Sequence, residues 1–415
     1  MKIKQSERGQ ALYLLVVGIV SLIGFTALAI DGGRLFSERR TIQGVSDTAA
    51  FTGAVYLGRA VNVDEAIKAY AVLAANEIAI SNGYNDADDD VSVNTTVTVD
   101  DYYYVVTTQI SSQIDPTFAQ LVYSGPLEVE AQAVTRVLPL YQTVFGNALF
   151  SLNETDCDAL YFSGNSDIQI DGTGIFSNSD CSSESVSFEG NNLTIVDGEV
   201  SAAGGVNTQG AASYTATETN EDMPQVPSFS LPIPDCSGLP PVSISGPSNN
   251  LVITPGIVNS LFLNGATKIY NFQPGLYCIT GSGGFTITNG TVNGTDVMFY
   301  LTDGEVRING GLINLTAPTN DSVIDASNES WNGMLFYLDP TNTSEVWING
   351  NAGSYFEGTV YAPSSLCHLN GSGFTDGIDL SMICDSIDVD GGAGLHINYT
   401  DSNHYHPPTT IDLLE

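Results

Sequence analysis

Residues 11 to 30 read ALYLLVVGIVSLIGFTALAI, a run of 20 positions without a charge. At about 1.5 Å of rise per residue this is about 30 Å of apolar helix, the thickness of one bilayer hydrocarbon core. In lipid such a run has one single-segment solution, because only a helix satisfies every backbone N–H and C=O from within. Lys2, Lys4 and Arg8 precede it against a single Glu7, and Asp31 follows. The positive-inside rule then makes residues 1–10 a cytoplasmic basic stub and sends everything beyond Asp31 to the other side. A cleaved secretory signal is the rival reading. The run is long for a signal, and the Gly-Gly-Arg-Leu-Phe that follows offers no small-x-small cleavage site. The expectation is an uncleaved single-pass anchor, with the lipid bilayer as the partner of residues 11–30.

The chain has 47 acidic residues against 11 bases, a net charge of −36, although only 14% of its 415 residues are charged. From position 137 onward the bases are Lys268 and Arg307 alone. Such a surface repels a phosphate backbone, so nucleic acid is excluded as a partner. With 42% hydrophobic residues the chain should fold and not remain disordered. Cys157, Cys181, Cys236, Cys278, Cys367 and Cys384 all lie in the part placed outside, and an even count there reads as disulfides. None has zinc-ligand spacing. Connectivity stays open, with pairing of neighbours in order (157 with 181, 236 with 278, 367 with 384) natural in a fold of local contacts.

The first helix is expected to continue to residue 60, since Leu35, Ile42, Val45, Ala49 and Tyr56 recur at helical spacing. Asn62 and Glu65 have capping-box spacing ahead of a second helix to about Ile80. Alternating runs at 91–99, 102–110 and 127–137 predict a small antiparallel sheet, and Asp115-Pro116 suggests a short helix through Val122. Residues 31–138 thus form an α+β juxtamembrane unit of two helices and a small antiparallel sheet. From 139 to 400 short β-prone runs are separated by Gly and Asn, with Asn-Gly at 264, 289, 293, 309, 332, 349 and 370. Single Asn-Gly pairs mark hairpins. Repeated at this density, they favour an all-β right-handed parallel β-helix or solenoid over a sandwich. A Ser-, Thr- and Pro-rich stretch, 201–248, reads as an extended crossover, and 401–415 as a C-terminal tail.

The N-terminal motifs are familiar. ERGQALYLL at 7–15 and ALAIDGGRLFSERRTIQGVSDTAAFTGA at 27–54 resemble the N-terminal domain of TadE/TadG-like proteins of the bacterial tight-adherence (Flp-type) pilus system. The resemblance rests on Arg8, Gly9 and Gln10, on Asp31, Gly33 and Arg34, and on Ile42, Gln43, Val45, Asp47, Ala49 and Ala50. It implies pilus or membrane components of that system as partners, a bacterial membrane or cell-surface location, and interaction or anchor roles for Gly9, Gln10, Asp31, Arg34, Gln43 and Asp47. Self-association through the N-terminal helix, as a subunit of an extracellular filament, is the alternative. Type IV prepilin processing reads Glu five residues after its glycine; five after Gly9 stands Leu14.

Catalytic chemistry finds little support. Asp167 with Asp171, and Asp385 with Asp388 and Asp390, are paired acids at strand spacing, but Arg307 stands alone and no Gly-x-Ser-x-Gly occurs. The expectation is a structural protein and no enzyme, with a polysaccharide-binding or polysaccharide-active β-helix as a further alternative. No cofactor is expected. Asp86, Asp88 and Asp90 in NGYNDADDD are weak calcium candidates whose glycine is misplaced for an EF loop. His404 and His406 read as part of a solvated tail.

Overall fold

The computed structural model describes residues 8–60, 63–121, 123–349, 351–371, 374–390, 394–408 and 410–414. The chain divides into two compact units: residues 1–139 with 409–415, and residues 140–408.

In the first unit a single helix, α1 (Arg8–Arg59), continues from the apolar run into the folded part. Its second half buries Ile42, Val45, Ala49, Ala50, Ala54 and Leu57. These meet Ala71, Ala75 and Ala79 of α2 (Glu65–Ser81) and the sheet residues Val106, Ile110, Ala131, Ala133 and Val137. The small side chains are needed: a Cβ on Gly53 would stand 3.1 Å from Val106 and 3.2 Å from the Ala71 carbonyl. The N-cap of α2 is Asp64, whose carboxylate accepts the Ile67 amide; Asn62, read as the cap, lies outside the described residues. The sheet is antiparallel: β1 (Val91–Asp100), β2 (Tyr103–Ile114) and β3 (Leu127–Leu138), in that order. A fourth strand joins it from the far end of the chain, Thr410–Leu414, with Val134 opposite Leu414 and Leu138 opposite Thr410. The expected C-terminal tail is therefore corrected: its last residues complete the first unit's sheet.

The second unit is a β-solenoid of three parallel ladders. Chain order and spatial order differ. In one ladder the strands stack as Gly256–Val258, Gly275–Ile279, Val297–Leu301, Met334–Leu338, then the middles of Tyr355–Asn370 and Phe374–Asp390, then Leu149–Ser151, Ile175–Ser177, Glu199–Ala202 and Glu218–Asn220. Pro241 bridges to Ile257 and adds one further level. The chain thus enters in the middle at Leu149, winds to one end at Asn220, crosses to the opposite end, and winds back until Met382–Cys384 pairs with its own entry strand. Each run supplies the edge partner that the other lacks.

This topology dictates the crossover. From Asn220 to Pro241 the chain must pass ten strand spacings, about 48 Å at ~4.8 Å each. Twenty-one residues span about 69 Å when extended but only about 31 Å as a helix, so the connection has to be extended. Its prolines at 224, 227, 232, 234 and 240 are suited to that. The contacts descend the stack in order. The Met223 amide donates to Ala202 O, Val226 exchanges hydrogen bonds with the Asn178 side chain, Phe229 meets Phe145 and Tyr361, the Asp235 amide donates to Asp325, and Cys236 is disulfide-bonded to Cys278. The crossover is shorter than the 201–248 read from composition: Val206–Thr208, Ser213–Thr215 and Glu218–Asn220 still belong to coils, and Ser243–Ser245 pairs antiparallel with Asn250–Thr254.

Inside, like side chains stack from coil to coil. Phe162, Phe188 and Tyr214 follow one another at 4.8 and 4.6 Å between ring centroids, and Phe150 lies 4.9 Å from Phe176, the spacing of adjacent strands. Asparagines form a ladder: Asn271 donates to Asn250 and Asn293 to Asn271. Among the described residues, the non-glycine residues with left-handed backbone are all Asp or Asn, namely Asp101, Asp158, Asp222, Asp296, Asn320, Asp321 and Asn328, so part of the acidity sits where turns demand it. Asn293-Gly294 is no turn; it lies in the strand Thr291–Gly294. The disulfides join neighbours in sequence order, Cys157–Cys181, Cys236–Cys278 and Cys367–Cys384.

His404 is also not solvated. It is buried, stacked on Tyr399, and bonded through Nε2 to Asp379 at 2.8 Å. Burial pushes the Asp379 carboxyl up, but His404, Asn403 and the Thr400 amide hold it, on balance, below the ordinary value. A depressed carboxylate stabilises above its unfolded pKa, and that contribution disappears as pH falls through the lower folded value. Acidification below about pH 4 should therefore release residues 399–405 with a loss of about 2 kcal/mol. Near-UV circular dichroism against pH reads this through Tyr399 and Tyr405, and Asp379→Asn should remove the step.

Candidate anchoring site

From Leu12 to Ile30 the side chains of α1 are almost all exposed, and this is the one segment of the described residues long and apolar enough to cross a membrane. Its serine and threonine are satisfied within the helix: Ser21 donates to the Val17 carbonyl and Thr26 to the Leu22 carbonyl, both at 2.8 Å. Neither of these two side chains presents an unpaired hydroxyl to lipid.

Immediately beyond it, the polar residues singled out from the sequence turn inward. Asp31 is buried, and its carboxylate accepts three successive amides: Thr117 at 2.9 Å, Phe118 at 2.9 Å and Ala119 at 2.6 Å. Arg34 donates to the Asp115 carbonyl at 3.3 Å and to the Thr117 hydroxyl at 2.5 Å. Gln43 donates to Asp47 at 2.8 Å and to the Gln132 carbonyl of β3 at 3.2 Å. Tyr84 donates to Glu38 at 3.0 Å, its phenol pushed up to about 12 by burial and by that carboxylate. Asp31 and Arg34 thus hold α1 to the connection between β2 and β3, Glu38 holds it to the loop after α2, and Gln43 holds it to β3.

The expected helix after Asp115-Pro116 is a single 3-10 turn, Ala119–Leu121; Val122 lies outside the described residues. Its amides are capped by Asp31, 86 to 88 residues away, and not by Asp115. The amide donors to Asp31 were missed in the sequence because a local Asp-Pro pair offered a nearer cap. Gly9 and Gln10 lie in the first turns of α1.

Residues 9–56 match a family model described as "Putative Flp pilus-assembly TadE/G-like". This stretch is TadE/G-like. The TadE/G-like stretch covers the apolar run and the Asp31, Arg34, Gln43 and Asp47 contacts, and none of the solenoid. No curated protein matches the chain. Among solved structures, the competence-associated pilin ComZ from Thermus thermophilus aligns over 89% of this chain and 98% of its own, at 11% identity and a TM-score of 0.23; a score that low does not establish a shared fold.

Of the calcium candidates, Asp86 accepts the Val93 amide, and no group of three His, Cys, Asp or Glu among the described residues could hold a metal ion. The acids weighed for catalysis bind neighbouring groups instead. Asp167 accepts the Leu193 amide, Asp171 pairs with His396 at 2.7 Å, Asp385 accepts from Asn153, and Asp388 lies 3.4 Å from His368. Among the described residues three histidines stand beside aspartates, because adjacent coils bring together residues 20, 25 and 225 apart.

Proposed function

We propose that this protein is a single-pass, membrane-anchored bacterial surface protein associated with tight-adherence (Flp-type) pilus assembly or adhesion, structural and not catalytic. The observation that carries the reading is the exposed apolar segment of α1, its serine and threonine bonded within the helix, lying within the TadE/G-like match. The solenoid stands on the extracytoplasmic side. Lysine and arginine alone do not decide this, since Lys2, Lys4 and Arg8 before the run are balanced by Arg34, Arg39 and Arg40 after it. Three disulfides support this direction, because such bonds form and persist in an oxidising compartment. A non-catalytic role is supported by the engagement of the paired acids within the coils.

Cell fractionation with shearing, followed by N-terminal sequencing, tests the reading. The expected result is a chain with its N-terminus intact in the membrane fraction. A mature start at Gln10 in sheared, polymeric material would overturn it in favour of a filament subunit.

A further inference from the structure

Six of the eleven bases lie within ten residues of the apolar run, three on each side. Of the three that follow it, Arg34 is engaged within the fold, as are Lys68 with Glu65 and Arg136 with Asp412 farther along. Arg39 and Arg40 are different: both are exposed and neither has an ion-pair partner among the described residues. Between them and the run, Phe36 is 68% exposed. An open groove lies on each side of that ring. One, of about 380 Å³, is lined by Gly33, Phe36, Ser37, Arg40 and Thr41 and contains no acid. The other, of about 440 Å³, is lined by Leu35, Phe36 and Arg39, with Glu128 and Glu130 of β3 on its far wall. Those two carboxylates accept from Ser111 and Gln109.

Height along the helix identifies what this face meets. Phe36 is six residues past Ile30 and Arg40 ten, about 9 and 15 Å at ~1.5 Å per residue. Helical side chains lean toward the N-terminus, here back toward the run, so the ring and the guanidinium tips fall short of those heights by much of a side chain. The polar layer of a bilayer occupies about 5 to 8 Å on each side of the hydrocarbon. An aromatic ring followed by free arginines at that level is the composition of a membrane interface. The rest of the chain is acidic, yet among the described residues none of its carboxylates pairs with Arg39 or Arg40.

We propose that Phe36, Ser37 and Arg40, flanked by Arg39, form a docking face for the anionic phosphate head groups of phospholipids in the adjacent leaflet. The proposal rests on the membrane-anchored reading and names the partner of the segment just beyond the anchor. Arg40 and the Ser37 hydroxyl receive a phosphate in the acid-free groove, Arg39 adds charge from the other side, and Phe36 sits at the base of the head groups.

The test uses the full chain reconstituted in phosphatidylcholine bilayers with trace spin-labelled phosphatidylglycerol or spin-labelled phosphatidylcholine, comparing motionally restricted fractions. Wild type should prefer the anionic probe over the Arg39→Gln/Arg40→Gln variant by on the order of fivefold per base removed, and the gap should close in 1 M salt, about a 3 Å screening length. Equal preference in the two proteins overturns the proposal. So does a difference that appears only as altered sedimentation in neutral detergent, which would mean that this face meets the acidic surface of a second copy. A chain that fails to float with vesicles at all sinks the anchored reading itself, and that outcome is distinct from both.

Discussion

Removing the bond between crossover and coils, as Cys236→Ser with Cys278→Ala, should lower stability by about 4 kcal/mol, the chain-entropy value for a closed loop of this size. The loop is 42 residues long and spans one end of the solenoid. Alanine suits position 278 because its side chain is fully buried, and a hydroxyl there would lack a partner. The loss should be localised. Below Cys236 the crossover is held by the Pro240 carbonyl accepting the Ile257 amide and by the Pro241–Ile257 bridge. With the disulfide gone, residues 236–263 should open first, seen as early hydrogen exchange in that segment while coils around Leu149–Ser151 stay protected. Uniform exchange across all coils would mean that the crossover contributes nothing specific to that end.

Phe299→Ala should cost about 3 to 5 kcal/mol, the range for deleting a fully buried aromatic ring. Phe299 is 0% exposed, with ring centroids of Phe272, Tyr277, Phe285 and Phe336 between 4.6 and 5.3 Å away. Those rings come from neighbouring coils, so a void there removes partners along the stack as well as across it, and a rigid ladder spaced by its own hydrogen bonds cannot collapse onto the gap. Denaturant unfolding of the purified full chain, with and without the substitution, checks the value. A loss under about 1 kcal/mol would mean that the ladders relax far more than their hydrogen bonding allows. Phe299→Leu, which keeps most of the volume, should recover much of the difference.

Much of the local structure was legible in the residues. The apolar run, the helical stripe through Ile42 and Ala49, the alternating strands and the Gly- and Asn-rich coils each report a period, and a period identifies an element and the face it buries. The disulfide order was legible as the local alternative. At the anchoring site, Asp31 and Arg34 were picked out by their resemblance to a motif, but the groups they bind were not, because Thr117 to Ala119 carry no side-chain signature for donating backbone amides.

What the sequence by itself determined is the content of this protein: a membrane-length helix, a small α+β unit around its continuation, and a long parallel solenoid with acid-rich turns. What only the tertiary structure decided is which elements are neighbours. A parallel ladder repeats the same alternation in every coil, so nothing local tells Leu149–Ser151 that it will lie on Met382–Cys384 and not at an end of the stack. The same holds for Thr410–Leu414, five residues that read as a tail until β3 offers an open edge, and for His404 and Asp379, which approach only when a following coil closes over its predecessor. Hydrogen-bonding strand edges accept any partner of suitable geometry. The choice among partners is made by the whole stack, where an extended crossover long enough to span about ten strand spacings lets the chain begin and finish its solenoid in the middle.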